Sequence, residues 1–67
     1  MYFAIEIHGI KKNRFTIREV FENGTNLVPG TKIYKSETEA REAADKLNIK
    51  IEKIGDFYEI LPRTSNY

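Results

Sequence analysis

The residues able to do chemistry are few. His8 is the single histidine, and Glu6 lies two residues before it on the same side of an alternating stretch. Together they could form half of a metal site or an acid–base pair. No other cluster of metal-ligating residues stands near them, and the 67-residue chain contains no cysteine. Thiolate sites and disulfides are therefore excluded. His8 reads as a surface histidine beside a turn. The serines are Ser36 and Ser65, and neither sits in a GxSxG motif. Ser36 is better placed as a helix cap, and Ser65 falls near the C-terminus. The four glycines stand singly, so there is no P-loop or GxGxxG stretch to cradle a phosphate. Asp56 falls in a turn, where aspartate serves local hydrogen bonding. The expectation is a protein that is not an enzyme and needs no cofactor or metal.

Binding chemistry is better represented. Tyr2, Lys11, Lys12, Arg14, Arg18, Lys32 and Tyr34 interleave aromatic and basic residues along the first half of the chain. That set suits an interface with another protein or a second copy of the chain, because Tyr and Arg are enriched at binding hot spots. The alternative is nucleic acid, with Tyr2 and Tyr34 stacking on bases and the cations meeting phosphates. Net charge is only +1, but it is unevenly spread. Residues 1–36 carry six basic residues against three acids, a balance of +3, and residues 37–67 carry five against seven, a balance of −2. That polarity can orient a partner.

Positioning these residues requires a sheet. Tyr2 to His8 alternates, with Phe3, Ile5 and Ile7 on one face and Tyr2, Glu6 and His8 on the other. Gly9 to Asn13 is a hairpin loop longer than two residues. Arg14 to Glu22 is a second strand, with Phe15, Ile17 and Phe21 on its apolar face and Thr16, Arg18 and Val20 opposite. Glu19 and Val20 each fall on the wrong side. A bulge near Glu19, or a sheet with both faces partly covered, would reconcile them. Asn23-Gly24 is a strong turn signal. Thr25 to Val28 starts a third strand, Pro29-Gly30 interrupts it, and Thr31 to Lys35 resumes it with Ile33 toward the core and Tyr34 opposite.

Ser36 to Asn48 reads as one amphipathic helix. Ser36 caps it and Glu39 completes a capping box. Ala40, Ala43, Ala44 and Leu47 form an apolar stripe. Glu37–Arg41 and Glu42–Lys46 are i, i+4 pairs, and Asn48 suits a left-handed C-terminal position. Ile49 to Ile54 and Phe57 to Leu61 then flank a Gly55-Asp56 turn, and Pro62 ends the last strand. The order is β-β-β-α-β-β. The expected fold is α+β, a small antiparallel sheet with one helix on one face, spanning residues 1–62 with a loose tail at 63–67. The expected core is Phe3, Ile5, Ile7, Phe15, Ile17, Ile33, Ala40, Ala44, Leu47 and Ile51.

No apolar run approaches the roughly 18 residues of a membrane span, and the N-terminus lacks a signal-peptide pattern. The expected setting is cytoplasmic, with no membrane partner.

Asn23-Gly24, Leu27 and the run Tyr34-x-Ser36-x-x-x-Ala40 with Ala43 and Ala44 resemble the strand-into-helix signature of small bacterial YegP-like domains. The aromatic-x-Ser-x-x-x-Ala step is also similar to the amino-terminal arm-binding domains of phage and transposon integrases, which resemble AP2 domains. The first resemblance implies a fold and no established activity. The second implies three strands on one helix, with the sheet reading DNA. The chain departs from the integrase pattern in lacking a dense Arg/Lys/Trp sheet face, and from both in its extra C-terminal hairpin. Size and composition suit a prophage-type small protein.

Overall fold

A computed structural model describes residues 1–56 of the chain. It contains β1 (Tyr2–His8), β2 (Arg14–Phe21), β3 (Gly24–Leu27), α1 (Glu37–Lys46) and β4 (Ile51–Gly55). The strands form one sheet in the order β3-β2-β1-β4, and α1 packs against β1 and β2. The fold is α+β, as expected. The expected strand at 57–61 and the tail lie outside the described residues.

The sheet is mixed rather than wholly antiparallel. β1 and β2 pair antiparallel, as do β2 and β3, but β4 runs parallel to β1. The helix accounts for this. It carries the chain back to the end where β3 began, so the next strand runs in β3's direction. That strand joins the sheet at its far edge, beside β1.

Register decides what each face holds. Ile5 lies opposite Ile17 and Ile7 opposite Phe15, placing these apolar residues on the face that α1 covers. Ile17, Val28 and Ala44 form the core there, with Phe3, Tyr34, Ala43, Ile49 and Ile51 packed around them. The alanine stripe lets the helix sit close, and Ala40 and Ala44 are fully buried.

Both helix ends follow from local chemistry. Ser36 Oγ accepts a hydrogen bond from Glu39 N–H at 3.1 Å. Glu39 Oε1 accepts from Lys35 N–H at 3.3 Å, one residue earlier than a standard capping box would place it. Asn48 takes φ +60°, and Ile49 N–H reaches back to the Ala44 carbonyl at 2.9 Å, closing a Schellman-type end. Arg41 and Glu37 pair at 2.9 Å.

β2 runs without a bulge through Glu19, so the second resolution of the Glu19–Val20 conflict holds. The face away from the helix is also buried at its centre, where Val20 and Ala4 pack together under Tyr2. A shift in the β1–β4 pairing occurs elsewhere, with Ile51 opposite Phe3 and Lys53 opposite Ala4. Glu52 is the extra residue. Ile51 and Ile54 thereby both fall on the helix side, which resolves their out-of-phase spacing. Gly55 is the last residue of β4, paired with Glu6, rather than the first residue of a turn.

Turn chemistry corrects two further expectations. Neither Asn23 nor Gly24 has a positive φ; Gly24 opens β3 opposite Phe21, leaving Glu22 and Asn23 as the two loop residues. Thr31 N–H bonds the Val28 carbonyl at 3.0 Å, and Gly30 has φ +89°, which makes Val28–Thr31 a type II turn with Pro29 and Gly30 at its centre. Between this turn and the helix the backbone pairs with β2, among the described residues, through one isolated antiparallel bridge, Phe15 to Tyr34. Tyr34 therefore shares Phe15's face, toward the helix, and Ile33 points the other way. The expected orientation of this segment is reversed, and Ile33 is 64% exposed. Leu47 is also more exposed than expected, because it lies beyond the last helical turn, near Gly30. No helix of the described residues is long and apolar enough to cross a membrane.

Candidate functional site

The helix-free face carries the polar residues of interest. Register places Glu6 beside Thr16, His8 beside Arg14, and Arg18 beside Leu27. Strand alternation turns all six side chains to this face.

At its base lies a charged residue that is almost fully buried. Glu6 is 6% exposed, and its Oε1 stands 2.8 Å from Arg18 Nε. The Nε–H bond does not point along that line, so neither buried atom has a directional hydrogen bond. The contact is an ion pair held by charge and proximity. Arg18 also donates from Nη1 to Thr25 Oγ1 at 3.3 Å. His8 Nε2 lies 2.8 Å from Thr16 Oγ1 and 3.4 Å from Glu6 Oε1. Glu6 thus draws one residue from its own strand and one from β2, and two threonines complete the network.

Above it opens a groove of about 260 Å³, lined by His8, Arg14, Thr16, Arg18, Leu27 and Ile33. Leu27 is 50% exposed and Ile33 64%. The groove combines an apolar outer wall with a cationic floor. It lacks the makings of a metal centre: among the described residues no three His, Asp or Glu side chains converge.

The seven residues expected to bind do not form one patch. Arg14 and Arg18 meet in the groove. Lys11 and Lys12 sit exposed in the adjoining β1–β2 loop. Tyr2 lies at the far end of the same face, with Lys53 Nζ 5.6 Å above its ring. Lys32 and Tyr34 are on the other side of the domain. They line a second groove of about 340 Å³ with Glu39, Glu42, Ala43 and Lys46. Tyr34 Oη there accepts a hydrogen bond from Lys32 N–H at 3.3 Å.

Leu27 and Ile33 are the lining residues that sequence reasoning missed. For Ile33 the signal was present in Pro29-Gly30, because a four-residue turn between two extended segments removes any reason to carry the alternation across it, whereas Leu27 takes its face from its pairing with Arg18.

Fold and groove together define a small α+β domain with a cationic, aliphatic-walled cleft on its helix-free face. No family model, characterised protein or solved structure matches the chain.

Proposed function

We propose that this protein is a small, non-catalytic binding module that docks a protein partner on the helix-free sheet face. The observation that carries this reading is the exposure of Leu27 and Ile33 beside Arg14 and Arg18 around one groove. Exposed aliphatics next to arginine are the composition of a docking surface. Glu6, His8 and Thr16, which could otherwise serve a reaction, are occupied with each other and with Arg18. A cytoplasmic setting belongs to the same proposal.

An external partner is favoured over a second copy. Two-fold pairing uses the same face twice, and the acid of this groove, Glu6, is already matched by Arg18, so a second copy brings Arg14 and Arg18 without a complementary charge. Val20, the apolar residue of β2 on this face, is 1% exposed and offers a second copy almost no surface. Nucleic acid has less support. Tyr34 lies on the other side of the domain, and Tyr2 already holds Lys53 over its ring.

The test compares wild-type protein with Leu27→Asp and Ile33→Asp, and with Glu42→Lys on the helix as a control. A partner captured by the wild type is purified and its binding is remeasured with each variant. Loss with both aspartate variants and retention with the control is expected. Retention with all three variants, or binding only to a labelled oligonucleotide with steep salt dependence, would overturn the proposal.

A further inference from the structure

The groove's charge and shape narrow the partner's chemistry, on the reading that this face docks a protein. We infer that it receives an acidic side chain, Asp or Glu, flanked by aliphatic residues in an extended stretch of the partner.

Charge comes first. Arg18 is matched by Glu6 at 2.8 Å and tied to Thr25. Arg14 is exposed and forms no ion pair among the described residues. The groove therefore holds one unmatched guanidinium. Its fork of N–H donors fits a carboxylate with two parallel hydrogen bonds. Lys11 and Lys12 lie outside the groove in the adjoining loop, so the groove itself offers one spare cation, which suits one carboxylate. It does not suit a polyanion, whose affinity comes from many phosphate contacts at once.

Size comes next. At about 260 Å³ the groove falls below the roughly 300–1,000 Å³ of typical small-molecule sites. It accommodates one or two side chains rather than a cofactor. Leu27 and Ile33 form its apolar wall, so the residues flanking the carboxylate gain by being aliphatic.

The source of the carboxylate follows from the backbone. Capture of a chain terminus relies on free backbone N–H groups converging in a nest. Here the floor is made of paired strands. Phe15 N–H bonds Tyr34 O at 2.9 Å, Tyr34 N–H returns to Phe15 O at 2.8 Å, and Val28 N–H bonds Ile17 O at 3.1 Å. These paired N–H groups leave no nest converging beneath the groove, which favours an internal Asp or Glu over a C-terminal carboxylate.

The experiment is an amide NMR titration of the full chain with three peptides. One is a capped heptapeptide centred on Val-Glu-Val. The second replaces glutamate with glutamine. The third ends in Val-Val with a free carboxylate. Saturable shifts at Arg14, Thr16, Leu27 and Ile33 are expected with the first peptide. The glutamine peptide should bind about tenfold more weakly, and so should the glutamate peptide to Arg14→Gln. Lys46→Gln, a cation on the helix side, should leave affinity unchanged. Arg14 is exposed, so its variant should fold, and its own amide spectrum verifies that.

Equal affinity for glutamate and glutamine peptides, shifts confined to the helix side, or preference for the free terminus would overturn the inference. So would an absence of shifts at roughly 1 mM peptide, a level that detects even millimolar Kd values. These failures are separable from failure of the docking reading. If a partner still depends on Leu27 and Ile33 while the glutamate peptide does not bind, the face docks proteins by other chemistry. If the aspartate variants at those positions change nothing, both proposals fail.

Discussion

Glu6 Oε1 lies 2.8 Å from Arg18 Nε across a diagonal of the β1–β2 ladder, in which Glu6 faces Thr16 and Ala4 faces Arg18. Diagonal neighbours are far enough apart that only a long side chain reaches, and arginine does. The glutamate side chain is 8% exposed and the arginine 23%. The pair, with Thr16 and His8 beside it, is thus the polar centre of the face beneath the groove. Removing one partner strands the other, which costs more than replacing both.

A double-mutant cycle measures this. Arg18→Met should destabilise by roughly 2–4 kcal/mol, because it leaves a carboxylate with little access to water. Glu6→Gln should cost less, since Arg18 retains a route to solvent and its bond to Thr25. The double variant should be more stable than the sum of the single losses by about 1–2 kcal/mol. Urea denaturation gives all four values. Strict additivity would show that the two charges do not sustain each other.

The two isoleucines most easily confused in the sequence separate cleanly in the structure. Ile17 is fully buried against Val28 and Ala44, whereas Ile33 is 64% exposed. Ile17→Ala should cost roughly 2–5 kcal/mol, and Ile33→Ala less than about 0.5 kcal/mol. Comparable losses at both sites would mean that the segment after Gly30 faces the helix after all.

The helix ends carry a matching pair of effects. Ser36→Ala removes the acceptor for Glu39 N–H and should cost about 1 kcal/mol. Asn48→Gly should be neutral or slightly stabilising, because φ +60° suits glycine, while Asn48→Ala should lose about 1 kcal/mol. Thermal melts rank the three variants. A different order would place the helix stops elsewhere.

The chain should also remain a monomer. Sedimentation equilibrium at about 100 μM, where dimers with Kd near 10⁻⁴ M would show, should return the single-chain mass. A dimer abolished by Arg14→Glu would reverse the preference for an external partner.

Local chemistry made part of this domain legible. The Ser36 cap, the alanine stripe and the left-handed Asn48 each depend on neighbours within one helical turn, and each was readable. So was the alternation of Tyr2–His8. The misread features depend on contacts the sequence does not show locally. The Glu52 bulge exists because Ile51 and Ile54 must both face the helix, and only β1 supplies the register. The parallel setting of β4 depends on how far α1 carries the chain. Glu6 sits on the polar side of its strand, so alternation marks it as solvated. Its burial depends on Arg18 reaching over from the next strand.

Tyr34 joins the fold and the candidate site in a single test. Sequence spacing sets it beside Tyr2 as a stacking residue, yet the Phe15–Tyr34 bridge turns it to the helix side, against the Ile17–Val28–Ala44 cluster. Among the described residues its hydroxyl makes one exposed contact, at 3.3 Å from Lys32 N. Tyr34→Phe should therefore change stability by less than about 1 kcal/mol. Tyr34→Ala removes the ring from the core edge and should cost about 2–4 kcal/mol, discounted from a fully buried aromatic because the residue is only partly buried. A stacking role predicts the reverse pattern. Stability would hold in both variants, while binding of a single-stranded oligonucleotide would weaken by roughly 1–3 kcal/mol in Tyr34→Ala. Melting both variants and titrating each with labelled single-stranded DNA separates these outcomes. A stable Tyr34→Ala protein would require the segment to turn over, bringing Lys32 and Tyr34 back to the face that holds Arg14 and Arg18.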